Sequence, residues 1–274
     1  MSTTIEVTPA TATPPTIPFQ PTVGRSSWSR QSKFWLRAAV LASTLAVWWL
    51  ITGPLAGDNL ILSRMGPLDT FTALWALLGK ASTYEAIALS LFRLGVGLGI
   101  AALLGVIGGL ILGTRPKSEY ALSPVFQLLR MTSPLAWAPL AIVLFASGNA
   151  TVISLVTLAA VWPVLVGVTS GRRNLDPGVI KVARSLGATR WETLRTTVLP
   201  GMLEPVRAAL RIPLGVGWVV LVPAEMFGVT NGLGYAILNA RDNIDYEGLA
   251  ATMLLIGIVG LLLDRLLTSR VQQP

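Results

Sequence analysis

The sequence predicts an all-α membrane protein of six transmembrane helices, with both termini cytoplasmic and a folded basic loop between the fourth and fifth spans. Three observations carry this. Of 274 residues, 53% are hydrophobic and 12% charged, with a mean hydropathy of +0.66. A soluble domain is about a quarter charged, so this composition cannot cover a water-facing surface. Six apolar runs, each about 19 to 24 residues long, match the length that crosses a bilayer. Of the 21 Lys and Arg residues, about 17 lie on, or in the spans toward, the side that holds both termini, the Arg115 turn and the loop 172–200, and the positive-inside rule makes that side the cytoplasm.

Residues 1–33 are rich in Thr, Pro and Ser and read as a disordered cytoplasmic tail. A cleaved signal peptide competes poorly, because the basic residues Arg25, Arg30 and Lys33 lie far from the start. Phe34–Thr52 is the first span, with Trp48 and Trp49 suited to the far interface. Residues 53–86 form a mixed loop in which 68–78 has helical spacing. The second span, 91–113, carries Gly95 with Gly99, and then Gly105, Gly109 and Gly113, at intervals of four. Small residues at that interval let helices approach closely, either within one subunit or between two.

The turn Arg115–Lys117 leads into a third span, 122–145, interrupted by Pro124, Pro134 and Pro139. Prolines at membrane depth require protein or water around the freed backbone. The fourth span is 151–169 and the fifth 206–227. The polar stretch 228–247 has turns at Gly232 and Gly234, and the sixth span, 249–267, precedes a short cytoplasmic tail, 268–274. The six-span region is therefore 34–267.

Composition also excludes chemistry. The chain has no cysteine and no histidine, which removes thiol chemistry, the usual zinc sites and histidine proton relays. It has no phosphate-binding Gly-rich loop for nucleotide hydrolysis. In a membrane protein the formal charge of +8 fits basic loops against anionic lipid rather than nucleic acid. The ionisable residues the spans offer for ion coupling are Glu225, Arg93 and, near the cytoplasmic ends, Arg130, Arg211 and Asp264. That set is thin for a self-contained ion-coupled transporter, which is the alternative reading. A channel predicts uptake without a motor, and a membrane enzyme lacks acid–base residues.

The loop 172–200, RRNLDPGVIKVARSLGATRWETLRTTVLP, carries six basic residues. Asp176 before Pro177 reads as an N-cap followed by proline at the first helical position. Val179, Val182, Ala183 and Leu186 share one face. Gly187 supplies a bend, Thr189 with Glu192 forms a capping box, and Leu199–Pro200 close the unit. Such a platform suits either a groove on another protein or the surface of anionic lipid.

Within this loop, VARSLGATRWETLRTTVLPG resembles the cytoplasmic signature of permease subunits of ATP-binding-cassette importers. That signature reads Glu-Ala-Ala, three residues, Gly, nine residues, Ile, one residue, Leu-Pro. Ala183, Gly187, Leu199 and Pro200 match in register, whereas Lys181, Val182 and Thr197 stand where Glu, Ala and Ile are usual. SPLAWAPLAIVLF at 133–145, ALRIPLGVGWVVLVPAEMFG at 209–228 and GLGYAILNARD at 232–242 narrow the likeness to the nitrate, sulfonate, taurine and bicarbonate branch of type I importers.

The resemblance implies a prokaryotic plasma-membrane subunit that imports a small anion by alternating access. Its partners would be a second copy of itself, two cytoplasmic ATPase subunits, an extracytoplasmic substrate-binding protein and the lipid bilayer. This chain would bind no cofactor, ATP and Mg being held by the ATPases. Pro177, Val182, Ala183, Ser185, Leu186, Gly187, Ala188, Leu199 and Pro200 would be the ATPase-coupling residues. Arg93, Trp137, Trp162, Trp218 and Glu225 are candidates for the translocation path, with an ion pair or helix packing as their competing roles.

Overall fold

The computed structural model describes residues 30–114, 116–146 and 148–271. Among them every regular element is helical. The chain divides into two units, the first ending at Ala46 and the second beginning at Val47, so α1 (Arg30–Thr52) spans the boundary. Most of the predicted tail, residues 1–29, and the last three residues lie outside the described residues. In the second unit the loop after α1 holds a one-turn helix, α2 (Leu60–Ser63), capped by Asn59, and α3 (Pro67–Leu78), which occupies the segment read as helical.

α4 (Ala81–Thr114) begins ten residues before the predicted second span. At about 1.5 Å per residue its 34 residues exceed a hydrocarbon core of about 30 Å. It packs lengthwise on α7 (Asn149–Arg173). The contact stripe runs Gly97, Ala101, Gly105, Gly109, Gly113: the first, third, fourth and fifth meet Val156, Val164, Val168 and Arg172 of α7, and Ala101 is fully buried. The stripe is thus one residue pair out of phase with the sequence reading at its start. Gly95 and Gly99 face open space, and the glycines at 105, 109 and 113 are covered within this subunit. Thr157 and Thr169 reach across to the carbonyls of Gly97 and Gly109 at 3.2 and 3.4 Å.

Because the contact numbers on both helices rise together, α4 and α7 run parallel. The chain between them must therefore recross the membrane, which fixes the role of the proline-rich segment. α5 (Pro116–Met131) continues through Pro124. The break comes at Ser133, whose extended backbone (φ −59°, ψ 128°) is what a following proline demands. A 3₁₀ turn, Pro134–Trp137, leads to α6 (Ala138–Phe145), bent 84° from α5. The third crossing is this bent pair rather than one interrupted span; with it the apolar helices number six.

The segment after α7 also differs from expectation. α8 (Pro177–Ser185) and α9 (Arg190–Thr193) form, but Leu199–Pro200 do not end the unit. A π turn, Leu194–Val198, carries the helix into α10 (Leu199–Ala209). Leu199 N–H bonds back five residues to Leu194 O, and this wider turn accommodates the missing donor of Pro200. A one-residue break at Leu210 separates α10 from α11 (Arg211–Gly228), and the apolar helical run Arg190–Gly228 contains the whole of the expected fifth span, 206–227. The stretch read as turns contains a ten-residue helix, α12 (Leu233–Asp242), and α13 (Tyr246–Val271) runs on into the predicted tail.

Three apolar clusters hold the second unit. One joins α4, α7 and α11 through Leu94, Val156 and Leu221; one joins α3, α12 and α13 through Leu74, Leu233 and Leu255; one seats α10 on α7 through Val164, Val168 and Met202. The α4–α7 seam is the tightest. Gly109→Leu is expected to cost about 1–3 kcal/mol through overpacking, read as a lower unfolding temperature in detergent. Gly99→Ala, at an open site, is expected to be neutral or slightly stabilising. Equal losses for both would contradict the seam.

Candidate functional site

The loop 172–200 is built as a rigid projection. Asp176 Oδ1 accepts from Gly178 N–H at 2.7 Å, and Pro177 needs no donor at the first helical position. α8 ends in a Schellman arrangement: Gly187 N–H bonds to Arg184 O at 3.0 Å and Ala188 N–H to Ala183 O at 3.1 Å, with Gly187 at φ +87°. Thr189 and Glu192 then cap α9 reciprocally. The Glu192 carboxylate lies below its ordinary pKa of 4.5, held first by the Thr189 backbone N–H and then by the Thr189 hydroxyl. A lowered carboxylate pKa means that the cap is fully formed above the ordinary value and is lost as pH falls through the lowered one.

One side of this projection is anchored and the other is bare. Leu175, Ile180 and Leu194 pack onto the α7–α10 cluster. Val179, Val182 and Leu186 face outward, Leu186 being 83% exposed, and Trp191 joins them at 67%. Pro177, Ser185, Gly187 and Pro200 are exposed, while Ala183 and Ala188 are half-buried. Leu199 is 43% exposed. An apolar knob of this kind, on a stiff base and flanked by Lys181 and Arg184, is left exposed by the described residues.

The structure brings two of the path candidates together. Arg93 of α4 and Glu225 of α11 are both fully buried and pair at 2.6 Å. Arg93 Nε donates to Asn149 Oδ1 at 2.8 Å, its Nη1 to Asn231 O at 3.0 Å, and its Nη2 to Asn231 Oδ1. The Glu225 carboxylate also accepts from the Ser90 hydroxyl and, at 2.9 Å, from Gly234 N–H, while Leu233 N–H donates to Ser90 Oγ at 2.9 Å. The carboxylate therefore caps the exposed donors at the start of α12. Arg241 pairs with Asp242 at the surface.

This cluster ties α4, the start of α7, the end of α11 and the start of α12 at one end of the bundle. Gly232, at φ +102°, makes the approach feasible: a Cβ there would lie 2.6 Å from both Arg93 Nη1 and Glu225 Oε1. With its charges mutually cancelled and its hydrogen bonds made, the pair works as a latch. Sequence reading identified Arg93 and Glu225 but missed Ser90, Asn149 and Asn231. Ser90 lies one helical turn before Arg93 on the same face, which was the available signal.

The tryptophans do not converge. Trp137 closes the 3₁₀ turn against the first cluster. Trp218 wedges between the first two clusters and over Gly260, where a Cβ would lie 2.5 Å from its Nε1. Trp162 contacts Phe126 with ring centroids 5.8 Å apart.

The comparisons agree with this architecture. Residues 101–273 match the family described as "Binding-protein-dependent transport system inner membrane component". The chain is 32% identical over 242 residues to the taurine transport system permease protein TauC of Escherichia coli (strain K12), covering 86% of this chain and 87% of that one. It is 36% identical over 190 residues to the bicarbonate transport system permease protein CmpB of Synechococcus elongatus, covering 69% and 68%. Over 261 residues it is 30% identical to the nitrate import permease protein NrtB of the same species, covering 89% and 92%. Among solved structures, the inward-facing MetNI methionine ABC transporter superposes with a TM-score of 0.59 at 20% identity, covering 69% of this chain and 94% of that one. A bacterial alginate ABC importer superposes at 0.58 and 17%, covering 88% and 96%. The two structures establish the fold, and the family match with the three relatives establishes descent: this chain is an inner-membrane permease subunit of the binding-protein-dependent ABC importers, in the taurine, bicarbonate, nitrate and sulfonate branch.

Proposed function

We propose that this chain carries a small anion (nitrate, bicarbonate, or an alkanesulfonate such as taurine) into the cytoplasm by alternating access, driven by separate ATPase subunits. The observation that supports this best is the unpartnered apolar knob of α8, in register with the importer signature and mounted on two capped helix ends. Two copies of the chain pair around a central path. One ATPase receives each α8 in a surface cleft, ATP and Mg remaining with the ATPases, and an extracytoplasmic binding protein delivers substrate. Both termini and loop 172–200 lie in the cytoplasm, following the distribution of Lys and Arg.

Closure of the ATPases on ATP pulls on α8. The continuous helix from α9 through the π turn into α10, seated on α7, transmits that displacement as a rigid-body movement. The substrate class follows from the relatives, whose names specify taurine, bicarbonate and nitrate. The test is uptake of labelled nitrate, bicarbonate and taurine by cells carrying the intact importer. One of the three should accumulate, and accumulation should cease when cellular ATP is depleted. Uptake that survives ATP depletion at an intact ion gradient would support the secondary-transporter alternative instead.

A further inference from the structure

Between α5 and α7 lies a cavity of about 280 Å³ lined by Ser123, Gln127, Arg130, Trp162, Thr169 and Ser170, with no acidic residue among its walls. Thr169 spends its hydroxyl proton on Leu165 O at 2.7 Å. The side chains of Ser123, Gln127, Arg130 and Ser170 make no hydrogen bond or ion pair among the described residues. Four donors, one of them a guanidinium and all four on exposed side chains, therefore face one space without a protein partner among the described residues. On α7, one turn beyond Thr169, Arg172 carries a buried Nε that also lacks a partner.

The other cavities are different. The one beside Arg93, about 260 Å³, faces a guanidinium already neutralised by Glu225. The largest polar one, about 380 Å³, sets Lys80 beside Glu85 and Asp245. A third, about 400 Å³, has Arg195 among largely apolar walls. Of these four cavities, the one at Arg130 joins a cation that has no ion pair among the described residues to neutral donors with no acid in its walls.

An ionisable group in a spanning segment is costly unless it has a task, and donors gathered around one cavity can be met by the acceptor atoms of a ligand. A guanidinium offers parallel N–H pairs that match two oxygens of a planar or tetrahedral oxyanion. The hydroxyls of Ser123 and Ser170 and the Gln127 amide supply neutral donors for the remaining oxygens. Neutral donors hold an anion without trapping it, which a transit site requires. The geometry points to this cavity as the membrane-embedded oxyanion site of the importer, with Arg130 as its charge-bearing contact and Gln127 and the two serines as its specificity contacts. This rests on the import reading above.

The test uses cells carrying the complete importer with Arg130→Gln, Arg130→Lys and Ser170→Ala permeases, measuring uptake of nitrate, bicarbonate and taurine beside membrane levels of the permease and its co-purifying ATPase. Arg130→Gln should assemble at wild-type levels and lose at least tenfold in uptake rate. Arg130→Lys should recover part of the rate with a changed preference among the three anions, because an ammonium loses the paired geometry. Ser170→Ala should raise KM with little change in maximal rate. Wild-type kinetics in Arg130→Gln overturns the site and leaves the import reading standing; a wild-type importer that takes up none of the three anions overturns the reading itself.

A phospholipid headgroup presents the same chemistry, so a second arm measures thermal stabilisation of the purified complex. The three anions are tested against phosphatidylglycerol, each on wild type and on Arg130→Gln. Stabilisation by a small anion that disappears in the variant supports the proposal. Arg130-dependent stabilisation by phosphatidylglycerol alone assigns the cavity to lipid and refutes it.

Discussion

Arg93→Met is expected to destabilise the permease by about 3–5 kcal/mol, the usual cost of leaving one half of a buried ion pair uncompensated. The Glu225 carboxylate would remain fully buried, with only Ser90 and Gly234 N–H to solvate it. Glu225→Gln should also destabilise, because it leaves the buried Arg93 guanidinium without its counter-charge and, with the amide oxygen accepting from Ser90 and Gly234, sets the amide NH2 against Arg93 Nη1. The double variant should lose clearly less than the sum of the two singles, since it removes both charges together. Thermal unfolding of the detergent-solubilised permease measures all three, and strict additivity would refute the latch. The pair and its hydrogen bonds tie α4, α7, α11 and α12 together at one end of the bundle.

Leu186→Asp should abolish uptake while leaving the membrane fold intact. The side chain is 83% exposed, so no core contact is lost and the stability change should stay within about 0.5 kcal/mol. What changes is the knob: a carboxylate placed in an apolar contact must be desolvated, and interface hot spots commonly lose 2 kcal/mol or more on such truncation or charging, roughly 30-fold in affinity. The expected result is a permease present at normal levels that no longer co-purifies with an ATPase. Leu186→Met should retain both association and uptake. Gly187→Ala should give an intermediate loss: φ is +87° with open space around it, so its cost of about 1 kcal/mol is purely conformational and falls on the loop. Normal ATPase association in Leu186→Asp would remove α8 from the coupling role.

Much of this was legible in the residues. Asp176–Pro177, Gly187 and the Thr189–Glu192 pair each have a local cause, so the shape of loop 172–200 could be read without tertiary information. The spans followed from length and hydropathy. What escaped was non-local. The small-residue stripe begins at Gly97, because Ala101 and the valines of α7 set its phase, and no pattern within α4 alone distinguishes Gly95 from Gly97. α12 was read as turns because its N-terminal Gly232 and Gly234 resemble turn residues; they are glycines because Arg93, Glu225 and Val222 crowd them from other helices. Pro200 looked like a stop, and the π turn that absorbs it has no sequence rule strong enough to predict it. The Arg93–Glu225 ion pair was among the expected roles, but Ser90, Asn149 and Asn231 become visible only once that pair is in place.

The central claim is that α8 is a knob seated in a cleft of a separate ATP-driven motor rather than a hairpin resting on lipid. A photo-crosslinking side chain placed at position 186, in cells carrying the whole importer, tests it most directly. The adduct should be a protein bearing a nucleotide-binding Gly-rich loop, and its yield should change when the cells are depleted of ATP. Adducts formed only with phospholipid, and unaffected by ATP depletion, would contradict the claim.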